Sequence, residues 1–251
     1  MDRLKIDAFT PGQVRDALGA NFAHNMVARV DERLDVDVLV IDIKGDAYVM
    51  KVADRNVLVI KRTTAWFRQN FSLAHELGHI TSDTLHPTVA EAEASTEAMA
   101  NAFAAELLMP EAKLRALDWA RMSTSEFAQH IWDLGVSVSA LINRLSTLRL
   151  PISPDIESVR AENTFALLRH FWMTNTQAGQ VDPITLRREK SAQRYIPAKL
   201  INQLETAVLA GRAPQESLAY LLDIPVDELG LDKEDTEDLE SDVSLLESIF
   251  L

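Results

Sequence analysis

The sequence predicts an α+β fold, with a small β-sheet and its packing helices first and a mainly helical part after them. Three short runs, residues 36–43, 47–52 and 57–61, have the composition of strands and are separated by Lys44-Gly45-Asp46 and Asp54-Arg55-Asn56, which favour turns. Residues 88–109 carry apolar side chains at helical spacing, and no obvious strand pattern follows Pro110. With 251 residues, the chain is long enough for one or two domains with a substantial core.

A helix over residues 10–33 is predicted to precede the sheet and to pack against it. Thr10 can cap its first turn, and proline suits the first helical position, which Pro11 would occupy.

The strands are followed by His75-Glu76-Leu77-Gly78-His79. Residues four apart lie on one face of a helix, so His75 and His79 can direct two imidazole nitrogens at one metal ion. Glu76 then points beside the ion, where its carboxylate can act as a general base for a water molecule. Chance would produce this pattern in about one chain of this length in a hundred, and the alternative is a helix with two unrelated histidines.

A catalytic zinc site usually takes a third protein ligand. The extended metalloprotease motif would supply it as a histidine six residues after His79, but Ser82 and Leu85 stand where its glycine and histidine belong. His86 is one residue out of register and precedes Pro87, a position that disfavours helix.

A glutamate on the helix predicted over residues 88–109 is the better candidate. Glu97 and Asn101 are four residues apart and share a face, so Glu97 can bind the ion while Asn101 accepts a hydrogen bond from a zinc-binding histidine. Glu93 also lies on that face and is the alternative ligand.

Two segments resemble the ImmA/IrrE family of zinc metallopeptidases: residues 71–79, Phe-Ser-Leu-Ala-His-Glu-Leu-Gly-His, and residues 97–110, Glu-Ala-Met-Ala-Asn-Ala-Phe-Ala-Ala-Glu-Leu-Leu-Met-Pro. The resemblance covers about residues 35–150. It implies a zincin-like, gluzincin-like domain with Zn²⁺ bound by His75, His79 and Glu97 and with Glu76 as the base. Asn101 stands where thermolysin-like enzymes have an aspartate, so the histidine that it orients should be a weaker donor to zinc.

The resemblance also implies a regulatory endopeptidase whose substrate is a protein, a transcriptional repressor of the helix-turn-helix type. The alternative is a non-catalytic zincin-like module that sequesters a transcription factor or regulates transcription. In zincins a strand beside the active helix lines the substrate cleft, and residues 57–61 are the candidate, although a covered structural strand is equally compatible. Four residues are candidates for stabilising the oxyanion: His86, His130, His170 and Tyr195.

Residues 127–145 predict a helix, a turn at Gly135 and a second helix, after a capping-box pattern at Ser123-Thr124-Ser125-Glu126. This resembles a helix-turn-helix, but only Arg144 and Arg149 could face DNA. The net charge of −13 also opposes binding to phosphates. For this segment, a structural role is therefore favoured over direct DNA binding. For the whole chain, a basic protein is favoured over DNA as the partner.

Beyond Pro151 we expect helices over residues 156–172, 197–210 and 214–222, with Gly211 ending the second. A basic segment, which contains Tyr195, forms either a solvated face or a docking site for phosphates or acidic proteins; its cations are Arg187, Arg188, Lys190, Arg194 and Lys199. Residues 231–251 hold eight acidic residues and one lysine, hence −7 of the total charge, and predict a flexible tail.

These patterns divide the chain into a metallopeptidase domain (1–120), a helix-turn-helix-like segment (121–150), a helical C-terminal domain (151–230) and the acidic tail (231–251). The chain has no cysteine, which excludes disulfides and thiolate metal sites. It has neither a signal-like N-terminus nor about 20 consecutive apolar residues, so we expect a cytoplasmic protein without a membrane partner.

Overall fold

A computed structural model describes residues 9–52, 55–81, 90–172 and 182–230, without the side chains of residues 52 and 90–93. The predicted α+β fold is confirmed, because one three-stranded sheet is accompanied by helices from both ends of the chain. The strands are β1 (Val36–Ile41), β2 (Ala47–Val52) and β3 (Arg55–Lys61). The predicted residues 42–43 are not part of β1, and β3 begins two residues earlier than expected.

The helices of the first half include the two that carry the candidate metal ligands, α3 and α4. They are α1 (Pro11–Leu18), α2 (Met26–Arg33), α3 (Trp66–Thr81), α4 (Ala90–Leu108), α5 (Glu111–Arg115), α6 (Thr124–Leu134) and α7 (Val138–Thr147). A 3₁₀ turn, Phe22–His24, connects α1 and α2.

The later helices are mostly short. They are α8 (Pro154–Ser158), α9 (Thr164–Leu167) with a π-helical turn (Leu168–Trp172), α10 (Pro183–Ser191), α11 (Ala198–Leu209), α12 (Gln215–Leu222) and a 3₁₀ turn (Val226–Leu229).

The strand order is β1-β3-β2, with β1 parallel and β2 antiparallel to β3. The prediction that residues 57–61 form the edge of a substrate cleft is therefore wrong. Strand β2 pairs with one side of β3, and β1 takes the other side, which leaves β3 in the centre. The outer side of β1 is bridged at Val40, whose N–H donates to the Tyr195 carbonyl at 2.8 Å. Among the described residues, β2 is thus the edge without a further strand partner.

Successive side chains of a strand point to opposite faces of a sheet, and helices cover both faces here. Val36 and Val38 of β1 join the large core that includes Leu77 of α3. Leu39 and Ile41 of the same strand join a second, smaller core. The partly buried side chains packed against that smaller core include Leu200 of α11 and Leu221 of α12.

The single helix predicted over residues 10–33 is wrong, because the chain turns between α1 and α2. The predicted N-cap is present, with the Thr10 hydroxyl accepting a hydrogen bond from the Gln13 N–H. Gly19, however, has φ +81° and Asn21 has φ 53°, which are conformations that end a right-handed helix.

The predicted helix, glycine turn and helix over residues 127–145 is confirmed, as is the capping box before it. Ser123 and Glu126 form the capping box, and Gly135 has φ +63°. Arg144, a candidate DNA contact, instead pairs with Glu106 of α4, and its side chain is only 13% exposed. This arrangement favours the structural role of the motif.

Further along, the helix predicted over residues 156–172 is wrong: α8, α9 and the π-helical turn replace it, and Asn163 caps α9. The two later predictions are confirmed by α11 and α12, with Gly211 at φ +66° after α11. Helix α10 was not predicted; Asp182 caps it by accepting the Ile184 N–H at 2.8 Å.

The basic segment does not form one solvated face. Arg187 is buried, and its guanidinium carbon lies 4.8 Å from the ring centres of both Trp66 and Trp132. Arg187 donates to the carbonyls of Trp132 at 2.9 Å and Ala23 at 2.8 Å. Arg194 pairs with Asp223 at 3.0 Å. Arg187 therefore attaches α10 to the first half of the fold, whereas Arg194 links the later helices to one another.

Candidate metal centre

Helix α3 carries three of the predicted site residues, His75, Glu76 and His79. Its apolar residues Leu73 and Leu77 are fully buried, which fixes the rotation of the helix. The two histidines are thereby held at the surface that faces α4.

Helices α3 and α4 pack unusually closely at Gly78. A Cβ atom on Gly78 would lie 2.9 Å from the Ala100 Cα, 3.1 Å from the Ala100 carbonyl oxygen and 3.1 Å from the Phe103 Cβ. Such contacts involve backbone and cannot be relieved by a side-chain rotation. The glycine within the motif therefore allows α4 to bring Glu97 within reach of the two histidines.

His75, His79 and Glu97 converge on one point. The His75 and His79 Nε2 atoms are 3.1 Å apart, and each is 3.2 Å from one of the two Glu97 oxygens. One ligand atom from each of the three side chains can be chosen so that all lie within 4.8 Å of one another.

These separations fit a zinc ion. Zinc bonds of about 2.0–2.1 Å at tetrahedral angles separate neighbouring donor atoms by about 3.3 Å. Two imidazoles and one carboxylate are also a donor set found in catalytic zinc sites. Zinc would thus be bound by these three side chains.

Asn101 lies one turn after Glu97, and its Oδ1 is 3.1 Å from the His75 Nδ1. An amide oxygen only accepts hydrogen bonds, so His75 Nδ1 carries the proton and donates it to Asn101. The lone pair of His75 is then on Nε2, which faces His79 and Glu97. The contact matches the orienting role predicted for Asn101.

The protonation of the site also suits metal binding. Burial, and then the neighbouring His75, lower the pKa of His79, which favours the neutral imidazole that a metal requires. Burial, followed by the negative charge of Glu97, raises the pKa of Glu76 to about 7. A carboxyl group with such a pKa can both accept and release a proton near neutral pH.

Sequence reasoning missed the residues that secure the end of α4. The Glu106 carboxylate accepts the Glu111 N–H at 3.2 Å and pairs with Arg144. Arg15 donates to the Glu106 carbonyl at 2.9 Å, and Arg144 to the Met109 carbonyl at 3.2 Å. Two cations thus satisfy carbonyls at the C-terminal end of the helix, where its dipole is negative. The one signal in the sequence was the position of Glu106 within the second segment that resembles the family.

Three of the four candidates for oxyanion stabilisation contact residues other than the metal ligands. The Tyr195 hydroxyl donates to Asp31 at 3.0 Å, the His130 ring packs against Trp119, and the exposed His170 ring packs against Phe171. His86, with Ser82 and Leu85, lies outside the described residues, as do the side chain of Glu93 and the acidic tail.

Comparison with known protein families gives a match. Residues 31–146 match the Peptidase M78 family model, which is described as the IrrE N-terminal-like domain. The matched segment includes the whole sheet, α3 and α4. No curated protein matches the chain. Within the described residues, no helix has the length and apolar character needed to cross a bilayer.

Proposed function

Because residues 31–146 of this chain match the Peptidase M78 family, we propose that the protein is a zinc-dependent endopeptidase of regulatory type that cleaves a partner protein. The observation that carries the proposal is the convergence of His75, His79 and Glu97 from two helices. The charge of Glu97 also acts on the carboxyl group of Glu76, the residue after His75. The resemblance suggests a helix-turn-helix repressor as the partner. A net charge of −13 also suits a basic protein surface better than DNA.

Each site residue has a chemical role in this proposal. Zinc, when bound, would act as a Lewis acid that polarises a water molecule and the peptide carbonyl. Glu76 takes a proton from the water and later gives it to the amine of the leaving peptide. Asn101 holds His75 in the tautomer that binds metal.

We propose β2 as the strand that binds the substrate, in place of β3. An extended peptide can add to an exposed edge strand through backbone hydrogen bonds. One side of β2 (Ala47–Val52) pairs with β3. Its other side has no strand partner in the part of the chain that the structure describes. Tyr48, on this strand, has 47% of its surface exposed.

Glu76→Gln tests whether the protein cuts its partner. The amide keeps the size of the side chain but cannot act as a base, so peptide cleavage should fall by roughly 10²-fold or more. Zinc content and partner binding should be retained. The assay uses purified protein with zinc and the repressor encoded beside its gene, and follows cleavage of the repressor.

Glu205→Gln is the matched control, because Glu205 is exposed on α11 and should leave cleavage unchanged. If Glu76→Gln regulates the partner in cells as well as the unmodified protein does, proteolysis is not the function. Sequestration of the partner would then explain the regulation.

A further inference from the structure

A cavity of about 210 Å³ lies between the start of α3, the helix α10 and residues 23–28. Trp66, Gln69 and Asn70 of α3 line it, whereas His75, His79 and Glu97 do not. Trp66 precedes His75 by nine residues, which is about 13 Å along a helix axis. The cavity is therefore separate from the metal centre but shares a helix with it.

The charged side chains that line the cavity are all cations. They are Arg187, Lys190 and Arg194, and no aspartate or glutamate is among the described residues that line it. This is unexpected in a chain with a net charge of −13. Asp223 neutralises Arg194, but Lys190 forms no ion pair with any residue in the described ranges.

Two amide side chains of the lining already donate hydrogen bonds to backbone carbonyls. Asn70 Nδ2 donates to the Ala23 carbonyl at 2.9 Å, and Gln69 Nε2 donates to the Ser191 carbonyl at 2.9 Å. Trp66 differs from these two residues. Its indole Nε1 is buried and has no hydrogen-bond acceptor within the described part of the chain. A buried N–H without an acceptor is unfavourable, so a group that accepts its hydrogen bond would be stabilised there.

We propose that this cavity binds a small organic anion that presents carboxylate or phosphate oxygens. Lys190 and Arg187 supply positive charge, the Trp66 indole supplies a buried donor, and no carboxylate of the described lining competes with the ligand. A volume of about 210 Å³ suits a small molecule. Anion binding here is a property separate from peptide hydrolysis. A bound anion would contact the same helix that holds the metal ligands.

Calorimetric titration of the full chain tests the proposal. One arm uses inorganic phosphate, the other succinate, and both are measured at constant ionic strength set by chloride. Saturable binding is expected in at least one arm, and the arm that binds identifies the phosphate or the carboxylate chemistry. Lys190→Gln and Trp66→Phe should each weaken the affinity about tenfold or more, whereas Lys190→Arg should retain it.

Two control variants test whether the anion binds in this cavity and not elsewhere on the protein. Lys199→Gln removes an exposed lysine on α11 that does not line the cavity, and it should bind as the unmodified protein does. His79→Ala disables the metal centre and should also leave anion binding unchanged. Absence of saturable binding in both arms would overturn the proposal, as would equal affinity in Lys190→Gln and the unmodified protein, or loss of binding in His79→Ala.

Discussion

The His75 imidazole can bind a metal through Nε2 only when its proton is on Nδ1, and Asn101 stabilises that tautomer. Helix geometry made the pairing of Glu97 with Asn101 predictable, since these residues are four apart and must share a face. Which of the two histidines Asn101 would contact did not follow from the sequence. That choice depends on how α4 lies against α3.

Glu97 is the third ligand in our assignment, and its replacement by alanine should remove zinc. If three side chains hold the ion, the loss of one should reduce the zinc content from about one per chain to near zero after dialysis. Metal analysis of the purified protein measures this. His75→Ala and His79→Ala should have the same effect.

Glu93→Ala is the matched control, because Glu93 was the alternative on the same predicted face. Zinc should remain fully bound in this variant. Retention of zinc by Glu97→Ala together with its loss from Glu93→Ala would assign the third ligand to Glu93.

Among the secondary-structure elements, the contact between α3 and α4 decides whether the site exists. Gly78→Ala adds one methyl group at 2.9 Å from the Ala100 Cα, and backbone must move to accommodate it. Overpacking of this kind costs about 1–3 kcal/mol. The displaced α4 would also carry Glu97 away from the histidines, so zinc affinity should fall by at least about tenfold. Thermal unfolding and competition with a zinc chelator measure the two effects.

Gly12→Ala provides the comparison within a helix. A Cβ on Gly12 would have its nearest neighbour, Arg15 Nη2, at 3.7 Å, which is an ordinary contact. This substitution should leave zinc affinity unchanged and the melting temperature equal or higher, because alanine favours helix more than glycine does. Equal behaviour of the two variants would show that the approach at Gly78 is not required.

Local sequence signals predicted the bounds of some secondary-structure elements but not their arrangement. Local signals sufficed for the strands and for α6, where Ser123, Glu126 and Gly135 mark the start and the end. The order of the strands is set by long-range pairing, so the central position of β3 could not be read from residues 57–61. Arg187 was predicted as part of a basic segment because a linear pattern does not show that two tryptophan rings enclose its guanidinium group.

The molecule as a whole is connected across the boundary predicted at residue 150. Leu167, Leu168 and Ile184 belong to the same hydrophobic core as Val14 and Leu73. Arg187 of α10 donates to carbonyls of Ala23 and Trp132. The division into segments at residues 120, 150 and 230 stays a prediction, and these contacts indicate which truncations can test it.

The last prediction concerns the helices that cover the second face of the sheet. Deletion of residues 198–251 removes Leu200 and Leu221, which pack against the core formed by Leu39, Ile41 and Val59. Those three side chains, each at most 4% exposed in the full chain, would then face water. Because each buried aliphatic side chain contributes about 1.5–3 kcal/mol, the shortened protein should melt at a lower temperature and bind a hydrophobic dye.

Deletion of residues 231–251 alone is the control, because that tail is predicted to be flexible and should leave melting temperature and zinc content unchanged. In the full chain, Leu221→Asp should reproduce part of the destabilisation, since it introduces a charge into the partly buried contact without shortening the protein. If the protein ending at residue 197 melts like the full chain and binds no dye, α11 and α12 do not stabilise the sheet. Their role would then have to be sought in contacts with a partner.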